Sequence, residues 1–117
     1  MKKNVLLDLS QDFAVEVIAV ARILKDKGEK GFADQIKRSG TSISANIAEG
    51  NHPQSRADMI SKFEIALKEA NETSYWLKLM FRTNRIDVDT YNSLENHCGK
   101  IRRLLIASCK TAKMNKT

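Results

Sequence analysis

The chain has 117 residues, 42% of them hydrophobic and 29% charged, and a formal net charge of +6. That length suits one domain, residues 1–117, with a sizeable core, and the five glycines and single proline favour helix over sheet. A membrane span is excluded, because the longest apolar run, Val17 to Ala21, falls far short of the ~20 residues needed. The apolar part of the opening MKKNVLLDLS is too short for a signal peptide, so the chain reads as cytoplasmic.

The spacing predicts a first helix starting after Ser10, a good N-cap, and ending at Gly28. Its stripe is Phe13, Val17, Val20 or Ala21, and Leu24. A second helix begins near Phe32. It then meets SGTSISANIAEG, Ser39 to Gly50, where small polar residues resemble a loop. Yet Phe32, Ile36, Ile43 and Ile47 keep one helical phase across Gly40, so a single helix to about Glu49 is expected. Gly40 costs that helix about 1 kcal/mol relative to Ala, and the close approach of a neighbouring helix is the expected compensation.

Gly50, Asn51 and Pro53 make a stop, and Ser55 caps a third helix from Arg56 to about Arg82, with Asp58 three residues on. Its stripe is Met59, Phe63, Ala66 or Leu67, Ala70, Leu77 and Met80 or Phe81, interrupted by Thr73 and Ser74. Thr83 to Arg85 form a turn. Asp87 caps a fourth helix with the stripe Tyr91, Leu94, Cys98, Ile101, Leu105 and Ser108, and a frayed polar tail follows from Ala112. The fold class is therefore all-α, an up-down-up-down left-handed four-helix bundle. The greater length and near-heptad spacing of the third and fourth helices suit packing outside the monomer.

Bundles often hold metals, but a di-metal carboxylate site needs two Glu-x-x-His pairs. Only Glu49-x-x-His52 is present, and Gly50 and Pro53 put its second half outside the helix; His97 has Leu94 three residues before it. No metal site and no cofactor are expected. No Gly-rich phosphate loop occurs, and no base sits beside a nucleophile, so catalysis is not expected either. Cys98 and Cys109 share one helix roughly 16 Å apart and read as two free, small core or surface thiols. Glu64, Glu69 and Glu72 alternate with Lys62, Lys68 and Lys78, the pattern of a solvated, ion-paired face.

The cations elsewhere are more suggestive. After Glu95 no acidic side chain occurs, whereas Lys100, Arg102, Arg103, Lys110, Lys113 and Lys116 all follow it. Lys37 and Arg38 add to the second helix. This strip serves either solubility and the helix dipole or contact with the phosphates of RNA or DNA. Phe13, Phe32, Phe63 and Tyr91 fall on buried stripes, leaving Tyr75 and Trp76 unplaced. Trp76 is expected as a core or subunit-interface anchor rather than a stacking platform.

QIKRSGTSISANIAEG (Gln35 to Gly50) and SRADMISKFEIALKEANETSYWLKL (Ser55 to Leu79) resemble the bacterial four-helix-bundle proteins encoded in intervening sequences of large-subunit ribosomal RNA genes. The resemblance runs from about Phe13 to Leu105 and rests on Arg38-Ser39-x-x-Ser42-Ile43-x-x-Asn46-Ile47-Ala48-Glu49-Gly50. The architecture is also similar to the accessory variability protein of diversity-generating retroelements. The resemblance implies a ring-shaped homo-oligomer, a pentamer, with no assigned catalytic residue. From the retroelement relative it implies basic surfaces that bind nucleic acid and a reverse transcriptase. Many members carry Gly-Arg soon after the Glu-Gly; here Asn51, His52 and Pro53 follow, and basic contact at that corner falls to Arg56.

Two functions remain open at this point. One is a non-catalytic oligomer that binds nucleic acid, RNA before DNA, through Lys37, Arg38, Arg56, Lys100, Arg102, Arg103, Lys110 and Lys113. The other is a homo-oligomeric scaffold for a reverse transcriptase or another acidic protein partner. Ser39, Gly40, Ser42, Ile43, Asn46, Ile47, Glu49 and Gly50 are expected to be structural, the alternative being an exposed ligand site at the Gly50 corner. Ser39, Gly40 and Ser44 would admit a neighbouring helix, while Asn46 and Glu49 would bond the next loop or a polar group on the third helix such as Lys68.

Overall fold

A computed structural model describes residues 4–115. Four helices, α1 (Val5–Asp26), α2 (Lys30–Gly50), α3 (Arg56–Arg82) and α4 (Val88–Met114), form an elongated bundle of 51 × 25 × 19 Å, with no strand among the described residues. Neighbours in sequence pack side by side, and α4 closes against α1, the sparsest of the four seams; the backbones of the diagonal pairs do not approach closely.

Local chemistry accounts for most of the helix ends. The Ser55 Oγ accepts the Asp58 N–H at 3.0 Å, and the Asp58 carboxylate accepts the Gln54 N–H at 3.1 Å. Asp87 accepts the Thr90 N–H at 2.7 Å, which holds its carboxyl below the usual range. At the end of α1, Gly28 adopts φ +83°, and the N–H groups of Gly28 and Glu29 return to the carbonyls of Lys25 and Leu24. Asn84, at φ +60°, ends α3 the same way, with Asn84 and Arg85 donating to Phe81 and Met80.

Helix α1 starts six residues earlier than its Ser10 suggested. Asn4 is the cap, accepting the Leu7 N–H at 3.0 Å. Ser10 lies inside the helix, fully buried, and its hydroxyl donates to the Leu7 carbonyl at 2.9 Å. Leu6, Leu7 and Leu9 find partial cover against the core, which favours helix upstream of Ser10. At the other end of the chain, α4 continues to Met114 with Ala112 buried, so the tail is helical further than expected.

The core is one cluster drawn from all four helices, centred on Phe13, Val17, Ile36, Ile43, Ile47, Leu77, Ile101 and Leu105. Helix α2 passes straight through Gly40, as the phase of its isoleucines requires. A Cβ on Gly40 would lie 2.8 Å from Val17 Cγ1, so the missing side chain is what lets α1 in. Beside it, Ser39 and Thr73, both fully buried, bring their hydroxyls to 3.0 Å and join α2 to α3. Each hydroxyl also lies within hydrogen-bonding distance of the carbonyl four residues earlier, so neither is stranded in the core. The Thr73 break in the stripe of α3 is thus a polar tie between helices. At the far end of α2, a Cβ on Gly50 would meet Phe63 Cε1 at 2.5 Å.

The remaining motif residues act locally. Ser42 donates to the Arg38 carbonyl at 2.7 Å, and Asn46 donates to the Ser42 carbonyl at 2.9 Å, so Asn46 bonds its own helix rather than the next loop. Glu49 does reach α3, but its partner is Lys62 at 3.2 Å, not Lys68. Lys62 lies within the first two turns of α3, close to the connection from α2.

Candidate nucleic-acid interface

Helix α4 turns Leu94, Cys98, Ile101, Leu105, Cys109 and Ala112 inward. That stripe leaves Lys100, Arg103 and Lys110 exposed on the other side, none in an ion pair among the described residues. Lys113 is different: Glu64 of α3 binds its ammonium at 2.8 Å, and that bond and charge raise its pKa. Arg102 is half-buried with Nη1 3.3 Å from the Ser74 hydroxyl, which itself bonds the Glu95 carboxylate. Both arginines fold back over Gly99, where a Cβ would lie 3.4 Å from Arg103 Nη1 and 3.8 Å from Arg102 Nη2. Two guanidinium heads therefore converge on one spot of α4. Lys116 lies outside the described residues.

The other expected contacts are not on this face. Lys37 and Arg38 belong to α2, which lies diagonally across the bundle from α4. Lys37 is exposed, but Arg38 bonds Glu72, lies 3.4 Å from Glu69 and 3.2 Å from Gln35, so its charge is met by two carboxylates. Arg56 opens α3 and lines a groove at the Gly50 corner with Asn51, Met59, Ser108 and Thr111. The Asn51 Nδ2 in that groove is sealed from solvent with no acceptor among the described residues.

The alternating charges of α3 do not pair with one another. Lys62 goes to Glu49, Glu64 to Lys113, and Glu69 and Glu72 to Arg38. Exposed Lys68, Lys78 and Arg82 are left without an ion pair among the described residues. Lys68 has Glu69 and Glu72 beside it along the chain, whereas Lys78 and Arg82 lie in a stretch, Thr73 to Ile86, that carries no carboxylate. The signal that could have found them is their shared helical face, from 68 through 75 and 78 to 82.

Trp76 is half-buried: its indole N–H donates to Glu72 at 3.0 Å, and its ring meets Phe32 and Tyr75 edge-on at 6.3 and 5.1 Å. Tyr75 itself is 56% exposed.

No cluster of three His, Cys, Asp or Glu side chains that could hold a metal occurs among the described residues. His97 Nδ1 lies 2.8 Å from Glu16, linking α4 to α1. Both cysteines are buried and free; burial pushes the Cys98 thiol up to about 11, and raises Cys109 too. No helix among the described residues is long and apolar enough to cross a membrane.

No protein of curated function matches the chain. A crystal structure of a protein of unknown function from the S23 ribosomal protein family of Bacteroides thetaiotaomicron VPI-5482 is similar at 47% identity, with a TM-score of 0.88 over 91% of this chain and 99% of that one. The family profile of the 23S rRNA-intervening sequence proteins matches residues 2–107. On that match, and with the four-helix architecture that accompanies it, the chain belongs to the 23S rRNA-intervening sequence protein family.

Proposed function

We propose that this protein is a non-catalytic, oligomeric nucleic-acid-binding protein that grips phosphates, RNA in preference to DNA. The observation that carries the reading is the unpaired, exposed set Lys100, Arg103 and Lys110 on one face of α4, in a stretch without a carboxylate. Arg102, half-buried against Ser74, brings a second guanidinium close to that of Arg103 over Gly99. Exposed cations outside ion pairs retain their attraction for phosphate, and each phosphate neutralised releases condensed counterions. The preference for RNA is suggested only by the family's name, 23S rRNA-intervening sequence protein. A salt series with structured RNA tests it. Three phosphate contacts give a log–log slope of about −2 to −3, and Lys100→Glu with Arg103→Glu should flatten it by about 2. Binding indifferent to salt, or unchanged in that variant, would sink the reading.

The oligomeric part has its own support. Val15, Ile18 and Ile23, exposed by 67%, 41% and 54%, form an apolar ridge on the outer side of α1. Exposed apolar side chains grouped on one helix are commonly covered by another chain. A ring-shaped homopentamer is the assembly we propose, and native mass spectrometry of Ile18→Asp against the parent tests it. A monomeric parent protein would remove this part. The same assembly would serve the scaffold reading, for a reverse transcriptase or another acidic partner, without direct contact to nucleic acid.

A further inference from the structure

The outer face of α3 carries a pattern separate from the α4 strip. Lys68, Asn71, Tyr75, Lys78 and Arg82 are all exposed. At about 100° per residue they share a sector of about 80°, and their Cα atoms span roughly 21 Å along the helix. The only carboxylates of α3 within that span, Glu69 and Glu72, are turned to α2 and held by Arg38, with the Trp76 indole also on Glu72. The stripe is therefore cationic, with a largely exposed phenol ring at its middle. Trp76 meets that ring edge-on at 5.1 Å and itself meets Phe32 edge-on at 6.3 Å, so the phenol ring has an aromatic neighbour that is in turn packed on another.

We propose that this stripe is a site for single-stranded nucleic acid, in which an unpaired base stacks on Tyr75 while Lys68, Lys78 and Arg82 hold the flanking phosphates. The chemistry requires a π-face and cations at nucleotide spacing. A duplex keeps its bases stacked on one another and offers this ring nothing beyond phosphates. The proposal deepens the reading above and rests on it for the class of ligand, but it uses different residues on a different helix.

The test uses the full-length protein, a 12-nucleotide oligouridylate, and a 12-base-pair RNA duplex as probes. Trp76 is the only tryptophan and touches Tyr75, so its emission reports on the platform. The single strand should change Trp76 emission on binding. Tyr75→Ala should weaken it about tenfold without altering the salt slope, Tyr75→Phe should restore it, and duplex affinity should stay the same. Lys78→Ala should flatten the single-strand slope by about 0.7. Equal single-strand affinity for Tyr75→Ala and the parent protein overturns the proposal. So does a change in assembly mass in Tyr75→Ala, which would make the face a subunit contact. Binding lost with Lys100→Glu and Arg103→Glu but untouched by Tyr75→Ala refutes this site and leaves the α4 reading standing. Binding lost with Tyr75→Ala and untouched by the α4 changes does the reverse. Failure of both probes to bind at low salt overturns both.

Discussion

Substituting Gly40 by alanine sets two effects against each other. Alanine is the better helix former by about 1 kcal/mol, and Gly40 sits mid-helix, so propensity alone favours the change. The added methyl would lie 2.8 and 3.0 Å from the two Val17 methyls and 3.2 Å from Val17 Cβ. All three atoms belong to one branched carbon, so no χ1 rotation removes the clash, and a helical valine has essentially one good rotamer. Val17 is completely buried, which leaves movement of α1 as the relief. Overpacking of this kind costs about 1–3 kcal/mol, so the net expectation is a loss of about 1 kcal/mol, or about 4 °C in Tm. Urea denaturation followed by circular dichroism measures it. In a Val17→Ala background the clash disappears, and the same Gly40→Ala change should then stabilise by up to about 1 kcal/mol. If Gly40→Ala raises stability in both backgrounds, the close approach of α1 is not why glycine stands there.

Thr73→Val removes the buried tie to α2 while Ser39 keeps the Gln35 carbonyl, and should cost about 1 kcal/mol in the same assay. Asn84→Ala places a Cβ-bearing residue without a local polar side chain at φ +60°, and should cost roughly 1 kcal/mol, whereas Asn84→Gly should not destabilise. Cys98 titrates at about 11 when folded against an ordinary value of 9.0. Below pH 9 both states hold the proton and nothing is lost; as pH rises through 9 towards 11 only the unfolded thiol ionises, so stability falls. By pH 10.5 the loss should be about 2 kcal/mol, absent in Cys98→Ala, when urea midpoints at pH 8 and 10.5 are compared. Neither thiol should react quickly with a disulfide reagent at pH 8 until the chain is unfolded.

The helices were readable because their signals are local. A stripe recurs every 3.6 residues, and a cap acts within three, so Ser55 and Asp87 identified themselves and Ile36 to Ile43 carried α2 through Gly40. Ser10 misled because a serine hydroxyl serves a cap and a back-bond to its own helix equally well. Which role it takes depends on whether Leu6 and Leu7 find cover, and that is a property of the packed core. The candidate site was legible only in part. Lys100, Arg103 and Lys110 stood out because no carboxylate follows Glu95. Lys68 was masked by Glu69 and Glu72, and Lys78 and Arg82 by being few and spread over two turns.

By itself, then, the sequence determined the four helices, their stop signals, the buried stripes and a surplus of positive charge. Each follows from residues within a turn or two, or from a count. Tertiary structure decided which charges survive. Arg38 looked free, yet it meets Glu69 and Glu72, 31 and 34 residues away, because it lies on the flank of α2 that faces α3. That one pairing removes a cation from α2 and exposes a cationic stripe on α3. The physical reason is reach: a long side chain on a helix flank chooses between its own helix and the neighbouring one, and only packing brings the neighbour within range.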